Sequence, residues 1–154
     1  MNQSDATAFD LDGFLPYLLN QTAEAASRGF QKVYRERFGL TRTQWRVMAN
    51  IGKFGDLTAR DICAVSMEEK TNVSRAVAAL ELRGLLVRRP SPQDKRAELL
   101  ALTGDGCRMF DEIGRLAQSY DASLRAGLGP EEAALLDRLL RRLKANAAPP
   151  AETG

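Results

Sequence analysis

Five side chains within six residues, Lys70, Thr71, Asn72, Ser74 and Arg75, are of the types that meet nucleic acid. Asparagine offers adenine a matched donor and acceptor. Arginine offers a fork to guanine or phosphate, and the hydroxyls and the ammonium give donors to phosphate oxygens. Further on come Arg88 and Arg89, then Asp94, Lys95 and Arg96. From Lys70 to Arg96 there are seven Lys or Arg against two acids, Glu81 and Asp94, although the whole chain carries a net charge of only +2. A solvated basic face has the same composition, so the elements that carry these residues decide what they mean.

Val73, Val77, Leu80 and, one step on, Leu82 form an apolar stripe at helical spacing, which sets one face on a core and frees the other. The free face near the helix start carries the five polar residues. Gly84 stops the helix as a C′ residue. Leu85 to Val87 begin a strand, Pro90 to Asp94 form a turn, and Glu98 to Leu102 return as a second strand. Upstream, Thr41-Arg42-Thr43-Gln44 is a capping box. It opens a helix through Trp45, Val47, Met48 and Ile51 that ends near Gly52 or Gly55. Thr58 with Asp61 opens a short helix through Ile62 and Val65, and Ser66 with Glu69 repeats the logic for the helix with the polar face. Two short helices across a tight turn, followed by a basic hairpin, predict a winged helix-turn-helix in a mainly α fold. On this reading Thr71, Asn72, Ser74 and Arg75, beside Lys70, face a major groove. Lys95 and Arg96 reach a minor groove or its phosphates, and Arg88 and Arg89 touch the backbone. Thr71 and Ser74 could instead bond within their own helix.

The flanks carry more apolar face than one small domain needs. A helix over 14–38, with Pro16 in its first turn and Gly39 at its end, presents Leu15, Leu18, Leu19, Phe30, Val33, Tyr34 and Phe38. Thr103 caps a helix whose Phe110, Ile113, Ala117, Tyr120 and Leu124 form a coiled-coil seam. Gly127 and Gly129 break it, and Pro130-Glu131-Glu132 opens a last helix striped with Leu135, Leu136, Leu139, Leu140 and Leu143. The expected organisation is one domain over 1–154. Residues 14–38 and 103–146 form dimerisation helices, 41–102 form the DNA-binding lobe, and 1–10 and 147–154 are flexible tails. A two-fold homodimer would place two recognition helices about 34 Å apart, one turn of double-stranded DNA.

Other classes find little support. The chain has no histidine, no Gly-rich phosphate loop and no credible acid pair, so an enzyme is not expected. Cys63 and Cys107, its two cysteines, lack metal-ligand spacing, and no metal or other cofactor is expected. No apolar run approaches the roughly 20 residues that cross a bilayer, and no signal peptide is evident. The expected place is the cytoplasm, with no membrane partner.

Asp94-Lys95-Arg96, followed after five residues by Leu102-Thr103, resembles the wing signature of the MarR (multiple antibiotic resistance regulator) family. Lys70-Thr71-Asn72-Val73-Ser74-Arg75 and Leu80-Glu81-Leu82-Arg83-Gly84-Leu85 are similar to its recognition-helix pattern. The resemblance spans roughly Leu15 to Leu143. It implies a homodimeric transcriptional regulator, more often a repressor, released from a pseudo-palindromic operator by a small aromatic or amphipathic, often anionic, ligand. It also implies that Asp94 contacts and orients Arg96. The ligand cleft would be lined by Trp45, Arg46 and Met48, with Arg28 or Gln31 opposite. A lone Trp on an apolar face, as Trp45 is, is more often plain core, and Arg46 could equally be a surface ion pair. Relatives that sense oxidants use a cysteine near the start of the first helix, which this chain lacks. The alternatives are a winged-helix protein-interaction module and a thiol-based redox-responsive regulator.

Overall fold

The computed structural model describes residues 8–149, so tail residues 1–7 and 150–154 lie outside the described residues. Six helices and three short strands follow in order: α1 (Leu15–Phe38), α2 (Arg42–Phe54), β1 (Leu57–Thr58), α3 (Ala59–Ser66), α4 (Lys70–Leu82), β2 (Leu86–Pro90), β3 (Glu98–Leu102), α5 (Gly104–Leu124) and α6 (Pro130–Ala147). The chain divides into two compact units, 1–117 and 118–154, with the boundary inside α5.

Two of the three expected capping boxes form. Thr41 Oγ1 accepts the Gln44 main-chain N–H at 3.2 Å, and Gln44 Oε1 accepts that of Thr41 at 3.1 Å. Thr58 Oγ1 accepts the Asp61 N–H at 3.1 Å, and the Asp61 carboxylate takes the Thr58 N–H at 3.0 Å and its hydroxyl at 2.8 Å. These bonds hold the Asp61 carboxyl below its ordinary pKa of 3.8. A carboxyl whose pKa is lowered by folding adds stability above its unfolded pKa and loses it as pH falls through the folded value. The stability gap between the protein and its Asp61→Asn variant should therefore be widest above pH 4 (about the unfolded Asp value). It should close on acidification, and denaturant titrations at several pH values will read it. A gap that does not change with pH would remove Asp61 from the acid limb.

The third box does not form. Ser66 is the last residue of α3 and its hydroxyl donates back to the Ile62 carbonyl at 2.5 Å. Glu69, the N-cap of α4, makes no capping bond with its side chain. The chain turns instead at Met67, which adopts a left-handed φ of 55°. α2 also runs through Gly52 to Phe54. Gly52 acts as a flat bed, because a Cβ there would lie 2.5 Å from Cζ of the Phe110 ring.

α4 buries Val73, Ala76, Val77 and Leu80 against Val47, Met48 and Ile51 of α2 and Ile62 of α3. Leu82 does not join them. It is 91% exposed, since two residues past Leu80 is about 200° round the helix, and Ala76 takes the place assigned to it. The stop at Gly84 is as expected. Its φ is 70°, its N–H bonds to Glu81 O at 2.9 Å, and the Leu85 N–H bonds to Leu80 O at 3.0 Å, the paired bonds of a Schellman motif.

The sheet is antiparallel with order β1-β3-β2. β1 was not expected, because a two-residue strand has no readable alternation. β2 is an edge strand and so tolerates Pro90, which pairs with Glu98 rather than opening the turn. Thr103 seals the base of the hairpin. Its hydroxyl donates to Gly84 O at 2.6 Å and accepts the Gly106 N–H at 3.0 Å, while its own N–H bonds to Leu85 O at 3.1 Å. Gly106, in the first turn of α5, is buried against that same strand entry.

In the second unit α6 buries none of its residues, and Leu135, Leu136, Leu139 and Leu140 stay 41–43% exposed. Arg125 ties the loop before it to Asp121 at 2.9 Å and Asp137 at 3.0 Å. In the first unit Leu15 and Leu18 of α1 are 43% and 52% exposed.

Candidate nucleic-acid interface

The outward face of α4 begins at its first residue. Lys70, Thr71, Asn72, Ser74 and Arg75 are all exposed, and their side chains make no hydrogen bond or ion pair among the described residues. The face exists because Val73, Ala76, Val77 and Leu80 claim the other side. The turn before it is fixed by an ion pair whose acidic partner the sequence did not point to. Arg46 of α2 donates to Glu68 at 2.7 Å, with the Glu68 side chain only 14% exposed. The anchored turn sets where Lys70 and Thr71 start.

The hairpin is built by its own polar residues. Ser91 N–H bonds to Ala97 O, and Ala97 N–H to Asp94 O. Ser91 Oγ accepts the N–H groups of Gln93 and Asp94 at 3.3 Å each. Asp94 does organise Arg96, but through the main chain. Its Oδ1 accepts the Arg96 N–H at 2.9 Å, and no ion pair joins the two side chains among the described residues. An Asx turn forms more readily here than a side-chain pair, because the N–H two residues on is already within reach. Lys95 and Arg96 stand exposed at the tip.

The two arginines of β2 behave differently from the tip. Arg88 is engaged by Glu81 of α4 at 2.9 Å and by Glu98 of β3 at 3.0 Å, and both acids raise its pKa. These pairs brace the wing against α4. Arg89 lies 3.7 Å from Asp56. Glu98 was findable from the register, since Arg88 pairs with Leu100 and Glu98 is the diagonal neighbour. Glu81 and Glu68 were not, because no strand register links them to their partners.

The residues expected to line a ligand cleft separate into two places. Trp45 sits in an aromatic cluster, edge-on to Phe30 at 5.9 Å and stacked with Tyr34 at 6.2 Å and Phe110 at 6.3 Å. Burial pushes the Tyr34 hydroxyl pKa up, against Arg42, Arg46 and Arg35. Arg46 is held by Glu68, as above. Met48 is 0% exposed, enclosed by core side chains with no surface left for a ligand. Arg28 and Gln31 instead line an open groove of about 450 Å³ with Lys32, Arg35 and Glu36, and Arg28 pairs with Glu24 at 3.0 Å.

Cys63 is half-buried against the core and Cys107 is exposed, both as free thiols. Among the described residues no His, Cys, Asp and Glu gather in a way that could hold a metal ion. None of the described helices is long and apolar enough to cross a membrane.

Known proteins resemble this chain in sequence and in fold. A family model described as MarR family matches residues 38–97, from the end of α1 to the wing. The HTH-type transcriptional regulator FarR of Neisseria gonorrhoeae is 30% identical over 81% of this chain and 85% of its own length. A MarR-family regulator from Silicibacter pomeroyi superposes with a TM-score of 0.79 at 21% identity, covering 96% of this chain and 99% of that one. BpsR of Bordetella bronchiseptica, whose structure addresses regulation of DNA binding by 6-hydroxynicotinic acid, superposes at 0.77 with 24% identity over 88% and 96%.

Proposed function

The chain belongs to the MarR family of DNA-binding transcriptional regulators, and from that premise we propose a homodimeric repressor that reads a pseudo-palindromic operator and leaves it on binding a small aromatic or amphipathic anion. The observation that carries this reading is the polar face of α4, unpaired among the described residues, on the same lobe as an exposed, turn-ordered basic wing tip. Thr71, Asn72, Ser74 and Arg75 enter the major groove, with Lys70 on a flanking phosphate. Lys95 and Arg96 approach the minor groove. The half-exposed leucines of α1 and α6 support a second copy as partner. BpsR, which is named with an aromatic acid, supports a ligand of that class. Arg28 and Gln31, which share one open groove, are its candidate contacts. A regulator of transcription works where the chromosome is, which in a bacterial cell is the cytoplasm.

The test is binding of the purified protein to duplex from upstream of its own coding sequence, with competitor DNA and a salt series. Site-specific binding to a pseudo-palindrome that weakens steeply with salt is expected. Weak binding, equal on every sequence, would point to a protein-interaction module instead. Arg96→Ala should lower the salt slope by about 2 units, one phosphate per wing. An unchanged slope would remove the wing tip from the interface.

A further inference from the structure

The short turn Arg83-Gly84-Leu85 joins three helices through groups that are individually ordinary. Arg83 is the C-cap residue of α4. Its guanidinium leaves that helix and donates to the last carbonyls of α1, to Phe38 O at 2.7 Å and Gly39 O at 3.2 Å. Those carbonyls have no partner inside α1 and sit at its negative end, where a cation is favoured. One residue on, Gly84 O receives the Thr103 hydroxyl, which also caps α5 by accepting the Gly106 N–H. The C-terminal end of the recognition helix is therefore tied to the end of α1 by one side chain and to the start of α5 by another.

We propose that Arg83 is a positioning residue that makes the pitch of α4 follow α1, and so sets which separation of operator half-sites the dimer accepts. This rests on the homodimeric DNA-binding reading above. A planar fork spanning two consecutive carbonyls resists rotation of one helix end about the other, which a single hydrogen bond would not. Arg83 itself touches no DNA in this account. Without it each lobe keeps its own core and its own base-reading face, and the lobes become free to settle on half-sites at several separations.

The experiment uses the full chain. The wild-type protein first selects its preferred duplex from a random-sequence pool. Affinities are then measured for that duplex and for versions with one or two base pairs inserted or removed at the centre. Wild type should lose about tenfold or more per base pair of altered spacing, by the same geometry that makes half-site separation specific. Arg83→Ala should bind all spacings within about threefold of one another, since its lobes no longer share one pitch. Arg83→Lys, able to hold one carbonyl, should fall between. Thr41→Ala, which removes the α2 capping box in the same lobe, is the stability control. It should melt earlier yet keep the wild-type spacing preference.

Full spacing preference in Arg83→Ala would overturn the role, and so would loss of that preference in Thr41→Ala, because either makes Arg83 merely structural. Failure of the wild-type protein to select any sequence would instead sink the DNA-binding reading, and the role of Arg83 with it.

Discussion

Replacing Gly106 with alanine is expected to lower the melting temperature by roughly 10 °C, equivalent to about 3 kcal/mol for a chain of this size. The sign is opposite to that of the usual glycine-to-alanine change within a helix, which gains up to about 1 kcal/mol. The difference is what the new methyl group meets. A Cβ on Gly106 would fall well inside contact distance of the Leu85 carbonyl oxygen, 3.1 Å from its carbon and 3.3 Å from Leu102 Cβ. That oxygen belongs to main chain already bonded to Thr103, so it cannot swing aside as a side chain can. Relief requires α5 to back away from the strand entry. Gly114→Ala, on the same helix with nothing within 4 Å of its would-be Cβ, should leave stability equal or slightly higher. Thermal melts of the pair provide the check. Equal melting of Gly106→Ala and wild type would mean that the close approach is absent in solution.

Arg75→Ala should weaken operator binding by about 30-fold to 20,000-fold. A bidentate base contact carries about 1–3 kcal/mol, and a two-fold dimer loses it twice. Arg75 is exposed on the second turn of α4 with no acid engaging it among the described residues, so its truncation leaves nothing buried and unpaired. Folding should be unaffected. The informative measurement is affinity on the operator and on versions altered at each symmetric base pair. A base contact predicts that the variant becomes indifferent to one position per half-site. A phosphate contact predicts a uniform loss and a smaller salt slope. No loss on any duplex would remove Arg75 from the interface.

Much of the fold was legible because it is written in local signals. The Thr41 and Thr58 boxes, the Gly39 and Gly84 stops and the Thr103 cap each depend on residues within a turn of one another, and each lies where the spacing placed it. Leu82 departs from the expected stripe because helical angle, not apolar type, decides which face a residue joins. The Ser66 box failed because the hydroxyl had a closer acceptor, the carbonyl one turn back. The polar face of α4 was legible for the same local reason. Its supports were not. Arg46 with Glu68, Arg88 with Glu81 and Arg83 with the end of α1 join positions 22, 7 and 44 or 45 apart. Nothing in a single sequence distinguishes such an arginine from one waiting for phosphate. For Arg88 and Arg89 the sequence shows the charge, and the acids beside them are what charge counting cannot see.

Those partners also bear on how such a protein finds its target. With Arg88 held by two carboxylates and Arg89 beside a third, the strand leading to the wing tip is nearly neutral. Fewer loose cations displace fewer counterions on random duplex, so non-specific attachment is weaker and shorter-lived. In a genome offering about a million or more competing sites, time spent on the wrong ones limits search. Arginines that fasten the wing internally would thus let the regulator slide briefly, let go and try elsewhere, leaving the tip and the α4 face to recognise the place to stop.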